Sequence, residues 1–226
     1  MKIKAVLLDV GGPILDEDHE YGAWDSYLLR LLAEEGMKVG RERLLRAIAE
    51  ATERCAPHPR VSALWALARP DVGRFRRLKD ALREFQRRHI AEEYVPRLRP
   101  GVKGALEGLA ERYTLALAGN QPEWIKGYLA EEGILDLFAW RFVSEEMGVS
   151  KPDPLFFRMI LDSLSIPPEE AAMVGDRLDS DVLPAKLIGR KTVRVLLGPY
   201  ADQVPISPLH TPDRTIRDLT ELPSAL

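Results

Sequence analysis

AVLLDVGGPIL, residues 5–15, sets an apolar run against a carboxylate and follows it with a turn. Ala5 to Leu8 is apolar at every position rather than at alternate ones, the pattern of a central parallel strand with helices above and below. Asp9 closes that strand. Gly11 and Gly12 then permit backbone conformations denied to other residues, and Pro13 stiffens the exit, so the chain turns sharply at the strand's carboxyl end. In open α/β sheets that edge is where ligands bind.

Outward from this stretch the pattern changes twice. From Asp16 to Tyr94 no strand-like alternation occurs. Tyr21, Trp24, Leu28, Leu31 and Leu32 recur at three- and four-residue spacing, as do Leu44, Leu45, Ile48 and Cys55, which predicts two amphipathic helices. Pro57 and Pro59 interrupt the pattern, a short apolar segment with Leu64, Trp65 and Leu67 follows, and Phe75, Leu78, Leu82, Phe85 and Ile90 mark a longer helix. Residues 95–101, with Pro96 and Pro100, read as a return linker. From Gly101 onward helices and strands alternate, as in a parallel α/β core. Strands are expected at 114–118, 140–144, 171–174 and 191–196, with a short edge strand near Thr215 and Ile216. The fold class is therefore α/β, a Rossmann-like doubly wound parallel sheet with an inserted all-helical domain. The expected boundaries are 1–15 and 99–226 for the core and 16–98 for the insert.

Composition narrows the functional classes. A formal charge of -3 over 226 residues offers no basic stripe for a phosphate backbone, so no nucleic-acid partner is expected. No apolar run approaches the roughly 18 residues of a spanning helix and no signal-peptide pattern precedes the first strand, so no membrane partner is expected and the chain reads as soluble and cytoplasmic. The single cysteine, Cys55, cannot form an internal disulfide and reads as a packing residue.

The strands beginning at Ala5, Thr114 and Ala171 end at or just before Asp9, Asn120 and Asp176. In a parallel sheet those tips share one edge. Lys151 beside several carboxylates at such an edge points to a divalent metal and an anion held together, and hard oxygen donors without a Cys/His cluster favour Mg²⁺ over zinc. Asp9, Lys151 before Pro152, and GDRLDSD at 175–181 resemble motifs one, three and four of the haloacid dehalogenase superfamily. Asn120 after its strand resembles motif two, and the helical insert resembles that family's cap of the first-insertion type. The resemblance implies that Asp9 is a nucleophile forming an aspartyl-phosphate and that Lys151 adds positive charge to Asp9 and the phosphoryl oxygens. It further implies that Mg²⁺ is held by Asp9, the Gly11 carbonyl, Asp176 and Asp181, and that Gly12, Gly119, Asn120 and Lys151 face the phosphate. The implied partner is a small phosphorylated substrate, with the chain acting as a monomer or homodimer.

This sequence departs from the family pattern at three places. Family phosphatases carry a second aspartate two residues after the nucleophile, as general acid and base, and here that position is Gly11. Pro13 stands where threonine or valine is usual, and Gly119 where motif two supplies a hydroxyl. Three activities follow as expectations. One is a phosphatase for good leaving groups, such as sugar 1-phosphates or acyl phosphates, or one drawing its acid from Asp16, Asp18 or His19. Another is a 2-haloacid dehalogenase with Asp9 attacking carbon, against which Gly11 and the Gly175-Asp176 pair both argue. The last is a binding or regulatory member. The insert is expected to select substrate. Its Arg54, His58, Arg60, Trp65, Arg74, Arg77 and His89 are the candidates for contact with an anion.

Overall fold

A computed structural model describes residues 2–226. Six strands, β1 Ala5–Leu8, β2 Thr114–Leu117, β3 Phe138–Trp140, β4 Ala171–Gly175, β5 Lys191–Val195 and β6 Arg214–Ile216, form one parallel sheet in the order β3-β2-β1-β4-β5-β6. This is the doubly wound order, in which the chain first builds outward from β1 on one side and then returns to add β4 on the other. The reversal places the switch point between the tips of β1 and β4. Leu8 pairs in register with Val174, and the Asp9 amide donates to the Val174 carbonyl at 2.9 Å.

Side chains alternate across the sheet. Ala5, Leu7, Ala116, Ala118, Ala171 and Met173 pack on one face against Phe156, Phe157, Ile160 and Leu161 of α8 (Pro154–Leu164) and Ala185 of α9 (Leu183–Leu187). Val6, Leu8, Leu115 and Leu117 point to the opposite face and are equally buried. Burial on both faces explains why β1 is apolar without alternation. On the order of 1.5–3 kcal/mol accompanies each large aliphatic side chain so removed from water.

The remaining helices are α1 Asp18–Glu34, α2 Arg41–Glu53, α3 Pro59–Ala68, α4 Val72–Glu92, α5 Val102–Ala110, α6 Ile125–Glu131, α7 Ser144–Met147 and α10 Leu222–Ala225. By its internal packing the chain divides into the residues through Asp16 together with Pro96–Leu226, and a second unit, Glu17–Val95. The second unit is entirely helical. Its own core joins Leu28 and Leu32 of α1, Leu44 and Ile48 of α2, Ala63 and Leu64 of α3, and Leu78 and Leu82 of α4. In the first unit Leu15 bridges to Leu98, and the Asp16 amide donates to the Arg97 carbonyl at 2.8 Å.

One local expectation needs correction. The third strand covers Phe138–Trp140, not 140–144. The apolar residues Phe142 and Val143 prolong the alternation beyond the last paired residue, but Phe142 is 49% exposed and α7 starts at Ser144. The Arg141 side chain, donating to the Phe138 carbonyl at 2.7 Å and pairing with Asp136, turns the chain out of the sheet. After β4 a wide π-type turn, Leu178–Val182, runs into α9. That turn carries Asp181.

Candidate active site

Three carboxylates and one amine meet at the switch point. Asp9 follows β1, Asp176 follows β4, Asp181 sits in the π turn, and Lys151 lies in the loop before α8. All four are buried. The Lys151 Nζ is 2.8 Å from Asp9 Oδ1 and 2.6 Å from Asp181 Oδ1. Burial alone disfavours the charged amine, but Asp181 and Asp9 outweigh it and raise its pKa, so Lys151 stays protonated between them. Asp9 Oδ1 also accepts the Val10 amide at 2.7 Å, and Asp181 Oδ2 accepts the Arg177 amide at 3.0 Å.

Asp176 is different. It is buried, yet its carboxylate accepts no hydrogen bond and joins no ion pair among the described residues. Burial, with the charges of Asp181 and Asp9 beside it, pushes its pKa well above the usual carboxylate range. A carboxylate left without a donor is costly unless a cation arrives. One oxygen from each of Asp9, Asp176 and Asp181 lies within 4.8 Å of the other two. This hard, all-oxygen, anionic donor set fits a divalent cation such as Mg²⁺. Gly11 stands in the turn after Asp9, its backbone bridging to Leu15.

Glycines make the close approaches possible. A Cβ at Gly175 would lie 2.3 Å from the Asp181 carboxylate, and one at Gly12, where φ is +88°, would lie 3.0 Å from that of Asp176. Only the hydrogen side chain lets both acids pack against the strand tips. Gly119 shows the cost of the departure in motif two. A Cβ there would meet Val10 Cγ2 at 2.7 Å, so Val10 occupies the space a hydroxyl-bearing side chain would need.

Beside Asn120, several residues of this edge, Arg99, Arg177, Arg194 and Gln203, were not singled out by the sequence reading. Asn120, expected to face phosphate, clamps the Lys151 backbone from both sides: its Nδ2 donates to the Lys151 carbonyl and its Oδ1 accepts the Lys151 amide, each at 2.8 Å. Arg99, in the segment before α5, donates to the Gly12 carbonyl and lies 3.6 Å from Asp16. Arg177 pairs with Asp179 at 2.5 Å and stacks on Tyr200, while Gln203 donates to Asp179 and accepts from the Leu178 amide. Arg194 of β5, also buried, binds the carbonyls of Tyr200, Ala201 and Gln203. Arg177, Gln203 and Arg194 brace the loop that presents Asp176 and Asp181. Asn120 and Arg177 had a signal, since both fall inside the quoted motifs. Arg194 had none, because a charge in an exposed strand reads the same way.

Of the other acid candidates, Asp16 faces Arg99, and His19 pairs with Glu20 at 2.9 Å. In the helical unit most anion candidates are already engaged. Arg60 is buried on Asp25 at 2.8 Å, between the rings of Tyr21 and Trp24. Arg77 grips Glu35 with two hydrogen bonds, Arg74 lies near Glu35 and Asp71, and His89 binds Glu20 at 2.5 Å. Among the described residues no helix is long and apolar enough to cross a membrane.

A family model described as haloacid dehalogenase-like hydrolase matches residues 3–189. The phosphoserine phosphatase of Thermus thermophilus is 33% identical, across 97% of this chain and 98% of its own. The glyceraldehyde 3-phosphate phosphatase of Methanopyrus kandleri is 41% identical over 100 residues, 44% of this chain and 42% of that relative. A solved structure, a HAD phosphatase from Thermococcus onnurineus, superposes with a TM-score of 0.61 at 25% identity, covering 99% of this chain and 97% of that one. Motifs, strand order and similarity over nearly the full length agree: the chain is a hydrolase of the haloacid dehalogenase-like family.

Proposed function

We propose that this hydrolase is an Mg²⁺-dependent phosphatase for a small phosphorylated metabolite, working through an aspartyl-phosphate on Asp9. The observation that carries this reading is the carboxylate of Asp176, buried without a donor beside two further acids whose charge Lys151 only partly offsets. Full-length similarity to a phosphoserine phosphatase supports it, as do the other phosphatase relatives.

In this reading Asp9, Asp176, Asp181 and the Gly11 carbonyl hold Mg²⁺. The ion supplies the charge that lets a carboxylate approach a phosphate. An Asp9 oxygen attacks phosphorus, the bond from phosphorus to the leaving oxygen breaks, and the leaving group departs as the alkoxide or takes a proton from solvent. Water then attacks the phosphorus, the bond to Asp9 breaks, and carboxylate and inorganic phosphate are released with a proton. Lys151 stays protonated throughout and balances charge at Asp9. Gly12, Gly119 and Asn120 line the phosphate side, Asn120 by positioning Lys151.

Gly11 shapes the substrate range. A side chain of hydrogen holds no proton, and an absent general acid forfeits about 10²- to 10⁴-fold in rate for a poor leaving group. Acyl phosphates, sugar 1-phosphates and aryl phosphates need less help. The all-helical unit Glu17–Val95 is assigned here the part of a substrate-selecting cap, on its place in the chain between motifs one and two. The test is phosphate release from a panel of these esters, with Mg²⁺ or with EDTA, alongside halide release from 2-chloropropionate. Metal-dependent phosphate release that Asp9→Asn abolishes is expected. EDTA-insensitive halide release would overturn the reading.

A further inference from the structure

The helical unit contains a cleft of its own, about 700 Å³, between α2, α3 and α4. Its floor is apolar: Ala47, Ala51, Val61, Trp65, Val72 and Phe75 line it. Small residues on α2 leave the space open, and Trp65 meets Phe75 edge to face, with ring centroids 5.2 Å apart. Trp65 remains 39% exposed and Val72 59% exposed, although both lie beside a formed core. Water-exposed aromatic and branched surface in a concavity is unfavourable until something covers it.

The rim supplies charge. Arg54 caps the carboxyl end of α2 and Arg69 that of α3, and both border the cleft. Neither side chain has a hydrogen bond or an ion-pair partner among the described residues, unlike Arg60 and Arg77, which are committed to Asp25 and Glu35. Glu50, one turn before Arg54, is the acid on the rim and forms no ion pair with it. Two cations against one anion leave a net positive edge over an aromatic floor. Thus two of the sequence candidates for anion contact, Arg54 and Trp65, come together at one place.

We propose that this cleft binds a small organic anion, one acidic group on an apolar body that contains a ring. The volume lies in the range of small-molecule sites, roughly 300–1,000 Å³, and the concavity suits a ligand that inserts rather than a flat protein surface. The aromatic floor matches a ring stacked or set edge-on, and a guanidinium matches a carboxylate or sulfonate head. A second copy of this chain fits less well. A two-fold contact would bring two like-charged rims together, which disfavours pairing.

The probe is anilinonaphthalene sulfonate, titrated against the full chain at low salt with tryptophan-sensitised emission and calorimetric stoichiometry. Saturable binding of one probe per chain is expected. It should weaken at least about tenfold in the Arg54→Gln, Arg69→Gln double variant and in Trp65→Ala, and stay unchanged in Arg158→Gln on α8. The uncharged parent amine should bind wild type about tenfold more weakly than the sulfonate and show no preference in the double arginine variant. Because Trp65 is part-exposed and the arginines lie on the rim, circular dichroism of all variants should match wild type. Many probes per chain, or equal affinity across the variants, would overturn the proposal. So would concentration-dependent dimerisation in sedimentation that excludes the probe, which would assign the cleft to a second copy. The readout involves no turnover, so its outcome is independent of the phosphatase reading.

Discussion

Replacing Lys151 by Met removes the cation from between two buried acids. Its Nζ lies 2.8 Å from Asp9 and 2.6 Å from Asp181. At an effective dielectric of about 20, each contact represents about 6 kcal/mol of gross attraction. Desolvation of the ions, several kcal/mol apiece, offsets most of that sum. The expected net loss is about 3–5 kcal/mol, the range seen when one member of a buried ion pair is removed. Urea unfolding in EDTA measures it. Adding Mg²⁺ then tests the origin of the loss. At a hundred times its dissociation constant a ligand contributes about 2.7 kcal/mol, and a site stripped of one positive charge attracts the ion more strongly. The variant should therefore regain more stability from Mg²⁺ than wild type does. A loss below about 1 kcal/mol in EDTA, or a smaller Mg²⁺ response in the variant, would refute the charge balance described for this site.

Asp176→Asn has the opposite sign. It removes a buried carboxyl whose ionisation is opposed by burial and by two acidic neighbours, so the metal-free protein should become more stable by about 1–3 kcal/mol at neutral pH, while Mg²⁺-induced stabilisation and any hydrolysis fall away. A drop in EDTA stability would contradict the orphaned carboxylate. Gly119→Ser restores the missing hydroxyl but forces a Cβ against Val10, so it should destabilise by about 1–3 kcal/mol without raising turnover. Adding Val10→Ala, which deletes the 2.7 Å contact, should recover much of that loss, and equal stability of single and double variants would rule the clash out. Arg190 is buried over Phe157 with three guanidinium nitrogens unpaired, and burial pushes its pKa down to about 9. Above that, up to the ordinary guanidinium range, the unfolded chain binds more protons, so stability rises with pH through that window. Arg190→Met should thus stabilise by about 1 kcal/mol at neutral pH, with the gap closing above pH 9 in chemical denaturation, and a destabilised variant would refute the unpaired guanidinium.

The parts of this molecule legible in sequence are those set by local pattern. The unbroken apolar run at Ala5–Leu8 marks a central strand, and the strand ends carrying Asp9, Asn120 and Asp176 point to one edge of the parallel sheet. Order and spacing of Lys151 and GDRLDSD brought in Asp181. What stayed hidden depends on tertiary pairing. Arg60, Arg77 and His89 are candidates for contact with an anion by sequence, yet each is engaged by an acid far away in sequence. Arg194 sits in a strand whose neighbours are buried, and only the carbonyls it meets across the C-terminal turn reveal that its charge is satisfied inside. The third strand was misplaced because Phe142 continues an apolar alternation that the sheet does not use.

The most direct test of the central claim is acid quenching during turnover of an acyl or aryl phosphate with Mg²⁺, followed by intact-mass and peptide analysis. The account predicts one added phosphoryl group per chain, located on Asp9, labile to hydroxylamine and absent in Asp9→Asn and in EDTA. Metal-dependent turnover with the phosphoryl group on another residue, or undiminished turnover by Asp9→Asn, would contradict it.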